Sequence, residues 1–503
     1  AATSTCGVST IGNYAFKDCA ITELLLPSTL ESIGEYAFDS NSSLANIDFS
    51  HSKTSLTYGD YSFKDCEGLT ELNLTDNVYI EGFNVIFRSC GNLSRIQVSE
   101  TSPFYTTVDG VLYNKDITTI IFFPDGYTKE YELPMTIKKI AAGVFENKQN
   151  LKKITITKNV ELIDTLAFKG CKNLKDLLFE AGGTEDLIIG DGAFQLCYAL
   201  TDVVLPDRTK RIGSDAFSMD RYYNDSLKSI TLNNGLEIIG ENAFYRTGIK
   251  EITIPYTVQK IGSGAFIGSL LETITFAETP KTDANGNAIT PVPLAFETAK
   301  INSKKVEVFV PNSTGMFLSC EGLKRIVLPE RLEYIPSGTF QGCSAIEYVY
   351  IPSTVQNSTV YNSSGSAKST KVRAIGDKAF YGCFNLNTVE FAKGGTAPLS
   401  FGNEVFAGCE ALTTLNLPNR IASVNTALLD VFQRKTTSVS TLKYNVLSFG
   451  SSYDSDTKAY RTCGITTINV EEGGAEYASY DGVLYTSGLT SVVLCPYERE
   501  GAV

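Results

Sequence analysis

The stretch IGEYAFDSNSSLANIDF, residues 33–49, and the stretch FYGCFNLNTVEF, residues 380–391, are two copies of one degenerate pattern. Combined, they read I-G-x-x-A-F-x-x-C-x-x-L-x-x-I-x-L-P, and the pattern recurs along the whole chain of 503 residues. Its aromatic position falls at Phe16, Phe38, Phe63, Phe87, Phe145, Phe168, Phe194, Phe217, Phe244, Phe266, Phe296, Phe317, Phe340, Phe380, Phe406 and Phe432. A fixed internal period predicts a solenoid with one coil per copy.

Most of these aromatic positions are about 21 to 27 residues apart, which is within or close to the period of leucine-rich repeats. The segment L-x-x-I-x-L-P, as in LKRIVLP at 323–329, alternates with period two and ends at proline, so it predicts a short strand. The segment I-G-x-x-A-F suits a tight helical or 3₁₀ turn, in which glycine permits the bend. We therefore expect an α/β solenoid, a right-handed leucine-rich-repeat superhelix of about 18 coils and roughly 85 Å. Its parallel sheet would line the concave face and its short helical or 3₁₀ turns the convex face.

Two segments, 98–124 and 470–496, break the repeat and match each other through the motif D-G-V-L-Y at 109–113 and 481–485. Asp-Gly between apolar residues predicts a two-residue hairpin turn, so both segments are interpreted as one variant coil. After the first copy the array resumes at Phe145, and the same offset would place a phenylalanine near about position 517. We thus expect one array over 1–503 that is truncated at its C-terminal end. The start at Ala1 similarly indicates a mature fragment.

Three insertions interrupt the period, near 279–305, 356–370 and 433–462. They are predicted to be loops or protrusions. Either they are tolerated solvent-exposed loops, or they carry binding specificity, as insertions in solenoids often do.

Composition excludes some partners. Lysine and arginine number 43 against 56 acidic residues, for a net charge of −13, and no basic block is present that could neutralise phosphates. Nucleic acid is therefore not an expected partner. No stretch reaches the roughly 18 to 20 consecutive apolar residues needed to cross a bilayer, so no membrane span is expected in this chain.

The repeat together with the D-G-V-L-Y variant coil resembles the BspA-like leucine-rich repeat proteins, over nearly the whole chain. These are surface and secreted proteins of host-associated bacteria, found also in some parasitic protists. The resemblance implies an extracellular location, displayed at the cell surface or secreted, and adhesion to host, matrix or microbial partners.

Most of the 12 cysteines keep the repeat's register, which argues against a disulfide network. Eight follow the repeat phenylalanine by three residues: Cys66, Cys90, Cys171, Cys197, Cys320, Cys343, Cys383 and Cys409. A position used once per coil stacks into a ladder, where small buried thiols pack as hydrophobes. We predict reduced, structural cysteines, and no metal site, because no C-x-x-C pair occurs.

The chain offers little for catalysis. Its single histidine, His51, stands among Ser50, Ser52 and Lys53 and is interpreted as part of a surface turn. Glycine pairs such as that at 190–192 belong to the repeat and lack the βαβ context of a dinucleotide site. We predict no catalytic, cofactor-binding or metal-binding residues, and hence no enzyme.

Outward-facing positions of the predicted strands are mostly small and polar, and one row of larger residues differs. Phe309, Val327 and Tyr350 are expected side by side on consecutive coils, flanked by Arg325 and Tyr348. Aromatic residues and arginine are enriched at binding hot spots, so these five residues are the candidate site for a protein or glycan partner. Ordinary cross-strand packing is the alternative.

The sequence thus predicts a non-catalytic adhesion or ligand-binding protein. A structural spacer, or a repeat segment accessory to an enzyme domain outside this chain, is the alternative.

Overall fold

The computed structural model describes residues 7–220, 226–280, 282, 289–301, 307–311, 315–361, 367–423, 451–454, 459–462 and 464–494. The chain divides into two compact units, residues 1–200 and 201–503. In both units most coils contribute a long strand from the L-x-x-I-x-L segment and a short strand that ends just before the repeat's glycine. Strands are numbered β1 to β38 in chain order.

In the first unit the long strands pair in parallel as β2 (Glu23–Leu25) with β4 (Asn46–Asp48), β6 (Glu71–Leu74) with β7 (Arg95–Val98), and β12 (Lys153–Ile156) with β14 (Asp176–Phe179). The short strands are β1 (Thr10–Ile11), β3 (Ser32–Ile33), β5 (Thr57–Tyr58), β11 (Lys139–Ile140), β13 (Leu162–Ile163) and β15 (Leu187–Ile189). The variant coil supplies β8 (Tyr105–Val108), β9 (Val111–Asn114) and β10 (Thr119–Phe122).

In the second unit the long strands are β16 (Asp202–Val204), β18 (Ser229–Thr231), β20 (Glu251–Ile254), β22 (Thr273–Phe276), β25 (Arg325–Val327), β26 (Tyr348–Ile351), β29 (Thr388–Phe391), β31 (Thr414–Leu417) and β35 (Thr467–Val470). The short strands are β17 (Thr209–Ile212), β19 (Ile238–Ile239), β21 (Lys260–Ile261), β30 (Leu399–Ser400) and β32 (Ile421–Ser423). Five long strands form one parallel sheet in the order β20-β22-β25-β26-β29. The predicted strand segment is therefore confirmed.

The prediction of helical turns at I-G-x-x-A-F is not confirmed. Within the described ranges the only helix is α1 (Phe83–Ile86), and the segment elsewhere forms short parallel strands followed by hydrogen-bonded turns. No helix in those ranges is long and apolar enough to span a membrane. The physical reason for the turns is a left-handed residue on each side of the Ala-Phe pair, such as Tyr36 (φ 53°) and Ser40 (φ 62°), because a right-handed helix cannot continue through that conformation.

The repeat's glycine is needed for space, which corrects the prediction that it permits a bend. A Cβ on Gly34 would lie 2.5 Å from the backbone nitrogen of Asn13 in the preceding coil, and a Cβ on Gly262 would lie 2.5 Å from that of Glu241. The backbones of neighbouring coils therefore approach too closely at this point for any other residue.

Replacing Gly34 by alanine should destabilise the first unit by about 1–3 kcal/mol, because the added methyl group must push two coils apart. Gly12→Ala is the matched control: Gly12 holds the same repeat position, but nothing lies within 4 Å of its Cβ site. Urea unfolding followed by circular dichroism measures both variants. Equal losses of stability in the two would contradict the spacing argument.

The phenylalanines of successive coils stack face to face inside each unit. In the first unit Phe145 and Phe168 have ring centroids 4.7 Å apart, and in the second Phe317 and Phe340 are 5.2 Å apart and 5° from parallel. The predicted aromatic position is confirmed for these coils but is wrong for Phe296, because Phe266 stacks directly on Phe317 at 5.4 Å. Ala295 instead bridges Lys260 in the short-strand region. Phe432 lies outside the described residues.

All eight cysteines in the predicted register are free, buried, and donate from Sγ to the backbone carbonyl of the preceding coil's phenylalanine. The pairs are Cys66 with Phe38 (3.3 Å), Cys90 with Phe63 (3.2 Å), Cys171 with Phe145 (2.8 Å), Cys197 with Phe168 (3.1 Å), Cys320 with Phe266 (3.1 Å), Cys343 with Phe317 (2.9 Å), Cys383 with Phe340 (3.2 Å) and Cys409 with Phe380 (3.2 Å). Where asparagine replaces cysteine, Asn41 Nδ2 donates to the carbonyl of Phe16 at 2.7 Å. The cysteines therefore act as hydrogen-bond donors between coils as well as packing groups.

Burial keeps these thiols in the donor form. It raises the pKa of Cys66, Cys171 and Cys320 to about 12, and the pKa of Cys343 and Cys383 well above its usual range, because a buried thiolate would lose its hydration. The folded-state pKa exceeds that of the unfolded chain. The stabilisation is therefore fully present below pH about 8.5 and is lost as pH rises through about 12.

A thiol reagent should distinguish the cysteines of the folded protein. At pH 8 we expect rapid modification of Cys19, which is exposed, and slow modification of the eight buried cysteines, because their thiolates form only on unfolding. Peptide mapping by mass spectrometry after timed labelling gives the rates. Modification of the buried cysteines as fast as Cys19 would contradict the placement, and rates that become equal in urea are the expected control.

Both variant coils contain the predicted hairpin. In the first, β8 and β9 pair antiparallel around Asp109 (φ 51°) and Gly110 (φ 83°). In the second, β36 (Tyr477–Tyr480) and β37 (Val483–Thr486) pair around Asp481 and Gly482, and β38 (Val492–Leu494) adds a third strand. Each hairpin turn accepts a hydrogen bond from the long strand before it: Gly110 from Ile96 N at 2.8 Å, and Gly482 from Ile468 N at 3.0 Å.

A two-stranded antiparallel hairpin overlaps each of the three insertions, and the first two hairpins extend beyond the predicted ends at 305 and 370. The pairs are β23 (Glu297–Ile301) with β24 (Glu307–Pro311), β27 (Ser358–Tyr361) with β28 (Ala367–Val372), and β33 (Ser451–Asp454) with β34 (Ala459–Thr462). Most of the predicted insertion at 433–462, and parts of the other two, lie outside the described residues.

Two arginines connect coils in the second unit, the buried Arg331 and the half-buried Arg420, and the sequence analysis did not predict them. Arg331 donates from Nη2 to the carbonyl of Pro255 at 3.0 Å and from Nη1 to that of Val258. Arg420 donates from Nη1 to the carbonyl of Val355 at 2.6 Å. Burial lowers the pKa of Arg331 to about 10. Both residues follow a strand end in the sequence L-P-x-R, and each donates to the turn after the long strand two coils earlier, β20 for Arg331 and β26 for Arg420.

Candidate ligand-binding surface

The candidate residues Arg325, Val327, Tyr348 and Tyr350 lie on two neighbouring strands of the five-stranded sheet. In the parallel register of β25 and β26, Arg325 pairs with Tyr348 and Val327 with Tyr350. The residue between each pair points into the core, as Ile326 and Val349 do. These four side chains therefore share the outer face of the sheet, and we call them the Arg-Tyr patch.

The fifth candidate, Phe309, is not in this row, and its predicted place was wrong. Its strand β24 pairs antiparallel with β23, with Phe309 opposite Ala299. The neighbour of β25 on the side away from β26 is β22, through Thr273 and Arg325. The reason is that residues 297–311 form a hairpin instead of a coil. The two runs of alternating apolar residues within 297–311 lack the C-x-x-L half of the repeat. This absence in the sequence could have distinguished a hairpin from a coil.

A stacked cation and a network of hydrogen bonds fix the patch. The guanidinium carbon of Arg325 lies 3.6 Å from the centroid of the Tyr348 ring, a close cation–π contact. Tyr348 donates from its hydroxyl to Glu390 on β29. On the other row, Tyr350 donates to Glu330 at 2.6 Å. The tyrosine rings are thus held in place before any ligand arrives.

Glu330, which fixes Tyr350, is itself fixed by the turn after β26. Glu330 accepts from the backbone nitrogen of Ser353 at 3.2 Å and from its hydroxyl at 3.0 Å. Neither Glu330 nor Ser353 was a candidate from the sequence. Glu330 lies three residues after the end of β25, and its proximity to Tyr350 depends on how the next coil stacks, which the sequence pattern does not define.

Exposure and charge make the patch amphipathic. Arg325 and both glutamates are exposed, the tyrosines are half-buried, and Val327 keeps 47% of its surface exposed. The hydrogen bond to Glu330 raises the pKa of Tyr350 to about 12. Partial burial, and then the hydrogen bond to Glu390, raises the pKa of Tyr348. Both hydroxyls therefore stay protonated and donate at physiological pH.

The side chains of the patch are of types that suit a binding surface. Tyrosine and arginine are among the residue types that contribute most energy at protein interfaces, and the exposed Val327 adds apolar area beside them. His51 lies elsewhere, in the first unit, with Nδ1 2.7 Å from Ser50 Oγ in an exposed turn, as predicted. Among the described residues no group of three His, Cys, Asp or Glu side chains is placed to hold a metal ion.

A comparison with models of known protein families covers most of the chain. A model of the BspA type leucine-rich repeat region, with six copies, matches residues 9–129, 115–221, 218–288, 294–367 and 362–480. The chain belongs to the BspA type leucine-rich repeat family. The predicted resemblance is therefore confirmed, as is the leucine-rich repeat fold.

Three bacterial proteins of solved structure are similar to this BspA type chain. One is a leucine-rich repeat protein from Eubacterium ventriosum, 23% identical over 56% of this chain and 85% of that one, with a TM-score of 0.38. Another, from Bacteroides ovatus, is 21% identical over 82% of this chain and 83% of that one, with a TM-score of 0.38. A third is the pneumococcal vaccine antigen PcpA, 22% identical over 68% and 66%, with a TM-score of 0.37. No curated protein matches the chain.

Replacing Glu330 by glutamine should lower the pKa of Tyr350 from about 12 toward its ordinary value near 10, because the carboxylate that opposes ionisation is gone. NMR titration of ring-labelled tyrosine measures the change. Glu347→Gln, in the same coil, is the control and should leave the titration of Tyr350 as it is. An unchanged Tyr350 titration in Glu330→Gln would show that the hydrogen bond is absent in solution.

Proposed function

We propose that this protein is a non-catalytic binding protein, displayed at the cell surface or secreted, that contacts a protein or glycan ligand through the Arg-Tyr patch. The observation that carries the proposal is the stack of Arg325 on Tyr348 at 3.6 Å. Membership of the BspA type family supports the extracellular location and the adhesive role.

The energetics favour the patch over the rest of the same sheet. Binding restricts side chains, which costs about 0.5–1.5 kcal/mol for each flexible group that becomes ordered. Tyr348 and Tyr350 avoid much of this cost because their hydroxyls are already bound to Glu390 and Glu330. On the neighbouring strands β20 and β22 the outward positions are Glu251, Thr253, Thr273 and Thr275, which offer little apolar area.

The ligand contacts follow from this arrangement. The exposed face of Val327 and the tyrosine rings would receive an apolar group or the apolar face of a sugar ring, and the free N–H groups of Arg325 would donate to an acceptor beside it. Glu330 and Glu390 flank the patch and favour a ligand with donors at its rim.

Two other functions make different predictions. A structural spacer would hold another domain away from the cell and would bind none of the ligands tested. A repeat segment accessory to an enzyme would depend on a catalytic domain outside these residues, and the sequence flanking the chain would contain it.

The test is binding of the purified chain to panels of matrix proteins and glycans, followed by affinity measurements on any ligand found. We expect Tyr348→Ala combined with Tyr350→Ala to weaken binding by at least about 30-fold, in line with about 2 kcal/mol for a hot spot. The control is Thr253→Ala combined with Thr275→Ala, exposed on the same sheet, which should change affinity less than about threefold. Unchanged affinity in the tyrosine variant would refute the patch, and silence on both panels would favour the spacer.

A further inference from the structure

The parallel sheet of long strands is interrupted in the first unit, just after the variant coil. The long strand before the gap, β7, is followed by the β8–β9 hairpin, and the next long strand is β12. Residues 127–134 follow β10 but form no strand, and β12 pairs with β14 alone among the described strands. One edge of β12 is therefore open.

The backbone of β12 defines which groups face that edge. Lys152 O accepts from Lys175 N at 2.8 Å and from Asp176 N at 3.1 Å, and Ile156 O accepts from Glu180 N at 2.9 Å. Because successive residues of a strand alternate in direction, the N–H and C=O groups of the residues between them point the other way. In the described structure the backbone groups of Lys153 and Thr155 make no hydrogen bond.

A cleft of about 710 Å³ lies against this edge. One wall is β12, from Lys153 to Thr155, and the other is the segment from Thr128 to Leu133. The floor includes Phe123, Tyr127 and Leu151, all buried apolar residues. Backbone donors and acceptors beside an apolar floor are the features used when an extended peptide adds a strand to a sheet.

We propose that an extended peptide segment of a partner protein binds in this cleft as an additional strand on β12. Its backbone would pair with Lys153 and Thr155, as the long strands of other coils pair with each other. This site lies in the first unit, does not involve the Arg-Tyr patch, and goes beyond the proposed function.

The side chains of the cleft indicate the peptide's chemistry. Lys152 and Lys153 are exposed at the edge and form no ion pair with any residue that the structure describes, while Lys148 pairs with Asp125. A directly opposed acidic residue on the added strand would interact favourably with Lys153. Glu130 and Glu132 lie on the opposite wall, so acidic side chains are favoured only on the outward face, above β12. The alternate residues would face Tyr127 and Leu151, so the expected pattern is acidic and apolar in alternation.

The probe is an acetylated, amidated peptide of sequence Glu-Val-Glu-Val-Glu. Two control peptides have the same sequence with backbone N-methyl groups on alternate residues, one on the edge that would face β12 and the other on the opposite edge. We expect the unmodified peptide to bind with a Kd below about 1 mM. NMR hydrogen exchange should show protection of the amides of Lys153 and Thr155. Methylation of the edge that faces β12 should abolish both effects, because it removes the backbone donors and leaves the side chains. Equal binding by all the peptides, or no protection at 1 mM, would overturn the proposal.

Variants of the full chain give an independent measurement. Thr155→Pro removes the N–H that faces the cleft, and proline is tolerated on an edge whose N–H groups are unpaired. We expect it to weaken peptide binding at least about tenfold with an unchanged circular dichroism spectrum. Lys153→Glu should weaken binding, whereas Lys175→Glu, exposed on the next coil, should not. Should Thr155→Pro unfold the chain, the Lys153→Glu comparison decides, and equal affinity in the two lysine variants would overturn the proposal.

Discussion

The backbone carbonyl of the repeat phenylalanine is the group on which the stack of coils depends. It lies beside a buried ring and accepts two hydrogen bonds, the first within its own coil, where Lys148 N donates to Phe145 O at 3.2 Å. The cysteine of the next coil donates to it, at 2.8 Å between Cys171 and Phe145. One small side chain thus occupies the second acceptor position of the carbonyl, fills the space beside the ring and fixes the register of neighbouring coils.

The small thickness of each coil along the stacking direction follows from the same contacts. Rings stacked near 5 Å, as in Phe168 and Phe194, set the rise per coil close to the spacing of paired strands. A helix of about 10 Å diameter does not fit this spacing, whereas a two-residue strand does. The glycine before the turn, as at Gly34, lets neighbouring backbones come within that distance. The wall opposite the long strands is consequently a second, narrow sheet with turns, in place of the predicted helical turns.

Part of this architecture could be predicted from the sequence because it is repeated. The long strands, the cysteine register and the Asp-Gly hairpins are local patterns, and each appears where the pattern places it. The position of Phe309 was missed because an insertion replaced a coil, so counting strands along the chain lost the register. The roles of Glu330 and Glu390 depend on contacts between coils, which the spacing within one repeat does not contain. The open edge of β12 likewise could not be predicted from the repeat, because it depends on which strands lie beside β12 in the folded chain.

Raman spectroscopy of the S–H stretching band tests the central claim most directly. Hydrogen bonding to a carbonyl weakens the S–H bond, so the account predicts a strong band at lower wavenumber than that of a free thiol. The band should move to the free-thiol position when the protein is unfolded in urea. A folded protein with no S–H band shifted from the free-thiol position, or loss of the shifted band through disulfide formation, would contradict the account.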